Sequence, residues 1–215
     1  MPTNQQGKLI HAGEVEKAHH ISTLTNTKWA KPSYTLPTPS LKFLFHLECD
    51  MEDFHPIGDG GHGNRATVIF KGGRFEGPRL RGTILPGGGD WETIQNTASP
   101  SSFSFSSSLS TYPSTYFSKS TPSLQTAHLD TRYNLLTHDN QCIYLRTTGV
   151  RTGRREILEA LGEEDKHSAN EYKMRLNLTF ECDDAGKYGW LNRVVGVASS
   201  GRNGGRVIYD AFEVL

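Results

Sequence analysis

Apolar and polar side chains alternate over most of the chain. In LKFLFHLEC, Leu41, Phe43, Phe45, Leu47 and Cys49 alternate with Lys42, His46 and Glu48, the period-two pattern of a half-buried strand. Leu44 interrupts the polar side, so both faces are expected to be partly covered. ATVIF, residues 66–70, is a second strand, turned by Lys71-Gly72-Gly73. Beyond it Arg79, Arg81 and Thr83 share one face of an extended run, and Leu80 and Gly82 the other. Pro86-Gly87-Gly88-Gly89 is expected to stop that strand and leave Asp90 and Trp91 at its end, beside a backbone that a ligand or another strand can approach closely.

The second half repeats the pattern. His128–Leu136 and Cys142–Arg146 flank Asp139-Asn140 as a hairpin, with Leu129, Thr131, Tyr133 and Leu135 on one face and Asp130, Arg132 and Asn134 on the other. A face carrying Asp and Arg side by side must be wet, paired or functional. Thr152–Asp165 reads as the one helix, with Ile157, Leu158 and Leu161 as its apolar stripe and Gly162 near its end. In EYKMRLNLTFEC, Tyr172, Met174, Leu176, Leu178 and Phe180 oppose Lys173, Arg175, Asn177, Thr179 and Glu181. Tyr188–Ala198 is a further strand. Asn203-Gly204 is a hairpin signal before the last strand, RVIYDAFEVL. The fold class this predicts is all-β, an antiparallel β-barrel of about 8–10 strands with one short helix, since closure removes the exposed edges of a long meander.

Two stretches fall outside the pattern. Residues 1–40 are polar, with Pro32, Pro37 and Pro39 near the end, and read as an N-terminal arm. From about 97 to 126 roughly half of the residues are Ser or Thr, which predicts a low-complexity loop inserted into a single domain spanning 41–215.

Charge changes the picture by exclusion. Lys and Arg number 23, as do Asp and Glu, so no broad basic surface for nucleic acid is expected. Cys49, Cys142 and Cys182 form neither a disulfide framework nor a CxxC metal pair, and a reducing, cytoplasmic setting is expected. The first residues lack the order of a signal peptide. No apolar run approaches the roughly 20 residues that span a bilayer, so no membrane partner is expected. Gly58, Gly60 and Gly63 spell G-x-G-x-x-G, but Pro56 precedes them and a β-type run follows, where a dinucleotide fingerprint needs a strand and then a helix. A flexible turn over a pocket rim fits better. His46, His55, His62, His128 and His138 form no HExxH or HxH pair, and no G-x-S-x-G elbow occurs; no metal and no cofactor are expected.

Three blocks, GGRFEGPRLRGTILPGGGDW, LDTRYNLLTHDNQCIYLRTTGVR and YGWLNRVVGVASSGR, resemble in that order the domain of unknown function 3237 family of bacteria and fungi. The family has a short connection where this chain carries its Ser/Thr segment. The resemblance implies a compact antiparallel barrel, commonly a homo-oligomer. It also implies, from some fungal members, a cofactor-free cyclase of polyketide pathways that adds a hydroxyl across a carbon–carbon double bond within one small aromatic substrate. Such intramolecular hydroalkoxylation needs an acid for the alkene, a base for the hydroxyl and a dry pocket. Asp90, Asp130 and Arg132 are the expected catalytic set, with Asp90 facing Arg132 across one pocket mouth. Arg79, Arg81, Trp91, Tyr133, Arg175, Trp190 and Asn192 are the expected substrate contacts, the aromatic ones by stacking. Local ion pairs and core packing are the ordinary fates of the same residues. A small-molecule carrier without catalysis is the alternative, since small barrels hold ligands unreacted.

Overall fold

The computed structural model describes residues 37–97 and 123–215. Eight strands follow in order: β1 (Leu41–Asp59), β2 (Asn64–Glu76), β3 (Arg81–Thr97), β4 (Leu124–Thr137), β5 (Cys142–Arg154), β6 (Lys173–Glu181), β7 (Gly196–Asn203) and β8 (Arg206–Val214). Each pairs with its neighbour in sequence, and β8 returns antiparallel to β1, so the barrel is closed. The alternation decides which side faces in. In β6, Met174, Leu176, Leu178 and Phe180 are buried, and Lys173, Arg175, Asn177, Thr179 and Glu181 are exposed. Among the described residues no helix is long and apolar enough to cross a membrane.

Several strands outrun the sequence pattern, and the reasons are local. Lys71-Gly72-Gly73 is not a turn. It is a bulge inside β2, where Asp50 pairs with Gly72 and Met51 with Phe70, skipping Lys71. Gly72 has φ 128°, which an L side chain rarely adopts. Pro86–Gly89 does not stop β3 either. Leu85 pairs with Asn134 and Gly89 with Arg132, so Pro86, Gly87 and Gly88 together oppose Tyr133. Two extra residues shift the register by an even number, and so Ile84 and Asp90 both face inward. Gly87 has φ 96°, and a Cβ on Gly88 would lie 2.4 Å from the Arg132 carbonyl oxygen.

The expected helix over Thr152–Asp165 shortens to α1 (Arg155–Glu159). Thr152 is held between Thr126 of β4 and Lys173 of β6, so ladder pairing overrides helix propensity there. Ile157, Leu158 and Leu161 are buried as the stripe predicts. The expected strand over Tyr188–Ala198 begins as a 3-10 helix, Gly189–Arg193, and only Gly196 onward is strand. The loop read over residues 55–65 is mostly paired, leaving Gly60–Gly63 as the β1–β2 connection. The N-terminal arm to residue 36 and the insertion over residues 98–122 lie outside the described residues. Leu124–Thr126, expected in the insertion, open β4.

A candidate acid–base site in the barrel lumen

The barrel interior has two zones. Toward the end where β1 begins, it is filled by aromatic rings. Phe45 meets Phe75, Phe180 and Tyr209, and Phe70 stacks on Tyr133 with centroids 4.7 Å apart. At the opposite end, where β3 finishes and β4 begins, the same inward parity delivers polar groups. Asp90 and Glu92 come from β3, Thr131 from β4, Thr147 and Arg151 from β5, and Arg202 from β7. Met51, Val68, Met174, Leu176 and Val207 wall them in. The free space among these side chains is about 20 Å³, close to what one water needs.

Asp90 sits at the junction of the zones. Its Oδ1 accepts the backbone N–H of Asp130 at 3.1 Å and the hydroxyl of Thr131 at 3.0 Å. Burial, reinforced by the neighbouring Glu92 carboxylate, pushes its carboxyl up to about 6, against the pull of Thr131, Arg151 and the Asp130 amide. Glu92 and Arg151 form an ion pair, Oε2 to Nη2 at 3.0 Å, with side chains only 3% and 7% exposed. Near pH 6, therefore, the lumen holds a carboxylic acid poised to give or take a proton beside a fixed carboxylate–guanidinium pair.

Arg202 completes the group. Tyr172 fixes its backbone by accepting the Arg202 N–H at 2.7 Å, and Arg202 Nε donates to the Gly204 carbonyl at 3.1 Å. Burial and the nearby Arg151 charge hold its pKa below the usual guanidinium range, which still leaves it charged. Deeper in, burial raises Tyr133 and Tyr209 well above the ordinary phenol and pushes the Cys49 thiol up to about 12. These groups stay protonated.

The residues proposed from sequence scatter over three places. Asp90 and Tyr133 face the lumen. Asp130 and Arg132 do not, because they occupy the alternate, outward positions of β4. There Asp130 binds Arg132 at 3.1 Å and Arg146 at 3.0 Å. The Arg132 guanidinium lies 5.2 Å from the Trp91 ring centroid, which places Trp91 on the outside of β3. The expectation that Asp90 faces Arg132 across one mouth is thus corrected, for Asp90 meets Thr131 instead. Arg175 is exposed on β6. Arg79, Arg81, Trp190 and Asn192 gather at the aromatic end. Arg79 lies 3.5 Å over the Trp190 ring and pairs with Glu213. Arg81 starts β3 and its carbonyl accepts the His138 N–H. Asn192 brackets Cys182, accepting its N–H and donating to its carbonyl.

Glu92, Thr131, Thr147, Arg151 and Arg202 were not singled out from sequence. Parity alone would have found some of them. Glu92 is two residues from Asp90, and Arg151 continues the Ile143, Leu145, Thr147 series. Among the described residues no group of three or more His, Cys, Asp or Glu is placed to hold a metal ion.

Fold and lumen together define a closed eight-stranded meander with a buried charged cluster at one end. Residues 39–214 match the family described as protein of unknown function DUF3237, and the chain belongs to that family. A UPF0311 protein of Rhodopseudomonas palustris is 24% identical over 179 residues, covering 83% of this chain and 99% of that protein. The crystal structure of the Rhodopseudomonas palustris protein superposes with a TM-score of 0.65, over 84% of this chain and 100% of its own. A β-barrel-like protein of Acinetobacter baumannii AYE is 32% identical with a TM-score of 0.62, over 85% of this chain and 99% of its own.

Proposed function

We propose that the chain is a cofactor-independent acid–base enzyme working in the charged end of the lumen. The observation that carries this reading is Asp90, a carboxyl pushed up to about 6 and held by Thr131 beside the buried Glu92–Arg151 pair. A group that titrates near working pH suits general acid and general base in turn. Following the family resemblance, the reaction is oxygen-ring closure by intramolecular hydroalkoxylation of an aromatic polyketide, as in fungal secondary metabolism. Asp90 gives its proton to one alkene carbon, the substrate hydroxyl oxygen bonds to the other, and the hydroxyl proton returns to the Asp90 carboxylate. The product is an isomer of the substrate, so no external reductant or oxidant enters.

The small free volume means that substrate must displace side chains to reach Asp90. Met51 and Met174 line the space and are unbranched and adaptable. A second reading is a barrel that binds a small molecule without turning it over, as small barrels do. Incubation with a panel of prenylated and allylated polyphenols separates the two. The enzyme reading expects ring closure above the spontaneous rate, falling about 10²–10⁴-fold in Asp90→Asn. Binding without acceleration, indifferent to that substitution, favours the carrier. The expected homo-oligomer belongs to the same proposal. An outer apolar band of Leu41, Phe43, Val195 and Leu215, between 40% and 67% exposed, is the surface such an assembly would use.

A further inference from the structure

We propose that Arg202, Arg151 and Thr147 form an oxyanion-binding subsite beside Asp90, so that the ligand of this lumen presents an ionised oxygen, carboxylate or phenolate, to them. Three observations carry it. Arg151 spends Nη2 on Glu92, while its Nε, buried, has no hydrogen-bond partner among the described residues. Thr147 is fully buried and its hydroxyl likewise has none. Arg202 uses Nε on the Gly204 carbonyl and has no carboxylate within ion-pair distance among the described residues. All three side chains line the same space as Asp90.

Unmet buried donors are costly, by more than a made hydrogen bond returns. Two of the four such atoms among the described residues, Thr147 Oγ1 and Arg151 Nε, line this one space; Thr67 Oγ1 and Tyr209 OH lie elsewhere. The chemistry of the three side chains is consistent: two guanidinium groups and a hydroxyl, all able to donate. Two guanidinium groups line the space, and only Arg151 has a carboxylate, Glu92, within ion-pair distance there. A single oxyanion supplies an acceptor to Thr147 and Arg151 and a counter-charge to Arg202. Free space close to one water's volume fits the oxygen end of a ligand rather than its whole body. The subsite deepens the acid–base reading and rests on it, because the oxyanion would be held within reach of the Asp90 proton.

The test is binding rather than turnover. The full chain is titrated with acetate and, separately, with 4-nitrophenolate at constant ionic strength, followed by thermal denaturation and calorimetry. Acetamide serves as the neutral isostere. The expected result is a rise in Tm with at least one anion and none with acetamide; the tighter of the two anions identifies the source of the oxygen. Thr147→Val should fold at least as well as the parent and bind the anion about tenfold more weakly, the worth of one hydrogen bond to a charged partner. Arg202→Gln should lose the response, and Arg202→Lys should keep part of it. Equal responses to acetate and acetamide, no response to either anion, or unchanged binding in Thr147→Val and Arg202→Gln would overturn the subsite. Asp90→Asn separates the two proposals. It should lower turnover about 10²–10⁴-fold yet keep anion binding, so that loss of the subsite and loss of the acid–base role appear in different measurements.

Discussion

Replacing Asp90 by Asn should stabilise the protein, and only above a certain pH. The unfolded chain ionises Asp90 near its ordinary value of 3.8, and the folded chain not until about 6. Below the lower value both states carry the proton and the residue is neutral in the balance. Between the two, the unfolded state loses its proton first, so stability falls as pH rises. Above about 6 the cost is constant. At about 1.36 kcal/mol per pH unit it reaches roughly 3 kcal/mol. Asparagine keeps the oxygen that accepts from Thr131 and the Asp130 amide but has no charge to bury. Any penalty for its unpaired NH₂ is independent of pH. The measurement is chemical denaturation of parent and variant from about pH 4 to about pH 8. The gap between them should grow by roughly 3 kcal/mol in favour of the variant, or about 6–12 °C in Tm at a domain of this size. A gap that stays flat across that range would refute the burial argument, and with it the poised acid. A stabilising substitution that removes activity is the expected signature of a residue kept for chemistry.

Four further outcomes follow from the same geometry. Glu92→Gln leaves Arg151 buried without its carboxylate and should cost about 3–5 kcal/mol in denaturant melts, most of it recovered in Glu92→Gln/Arg151→Met. Arg132→Ala should cost no more than about 1 kcal/mol, because its pair with Asp130 is about a third exposed, and should leave catalysis in the lumen unchanged. A large loss of rate would restore Arg132 to the site. Asp130 itself, opposed by its own partial burial but held by hydrogen bonds from Arg146 and Arg132, has its carboxyl below the usual range. Its contribution is therefore present above the ordinary carboxylate value and fades as pH falls, and Asp130→Asn should erase that part of the acid limb of a stability–pH curve. Gly88→Ala should destabilise by more than the roughly 1–3 kcal/mol typical of overpacking, since the new methyl would meet backbone, the Arg132 carbonyl, rather than a side chain that can move.

How much of this was legible beforehand can be argued from single residues. The alternation of Tyr172 through Glu181 sorts inside from outside without any tertiary knowledge, because side chains on a strand have two directions only. The Asn203-Gly204 hairpin and the Asp139-Asn140 turn are likewise local, and Asn140 and Gly204 both take the left-handed conformation their residue types favour. Asp90 was found for a partly different reason than the one that makes it interesting. Its neighbourhood drew attention through glycines expected to end a strand, whereas Pro86–Gly88 bulge within it. Asp130 and Arg132 stood out because they are charged and adjacent on one face, and that face is the wet one.

The sequence by itself determined the strand faces, the turns at Asp139-Asn140 and Asn203-Gly204 and the all-β class, since each follows from the period of the chain and the φ range of a few residues. Only the tertiary structure decided the site. Whether two inward carboxyls, two arginines and two threonines from four different strands meet depends on the stagger of those strands around the barrel. That stagger is set by several bulges, among them those at Gly72, between Met51 and Phe54, and at Pro86–Gly88. A bulge of one residue reverses every later side chain and a bulge of two reverses none. No local pattern distinguishes them until the neighbouring strand is in place.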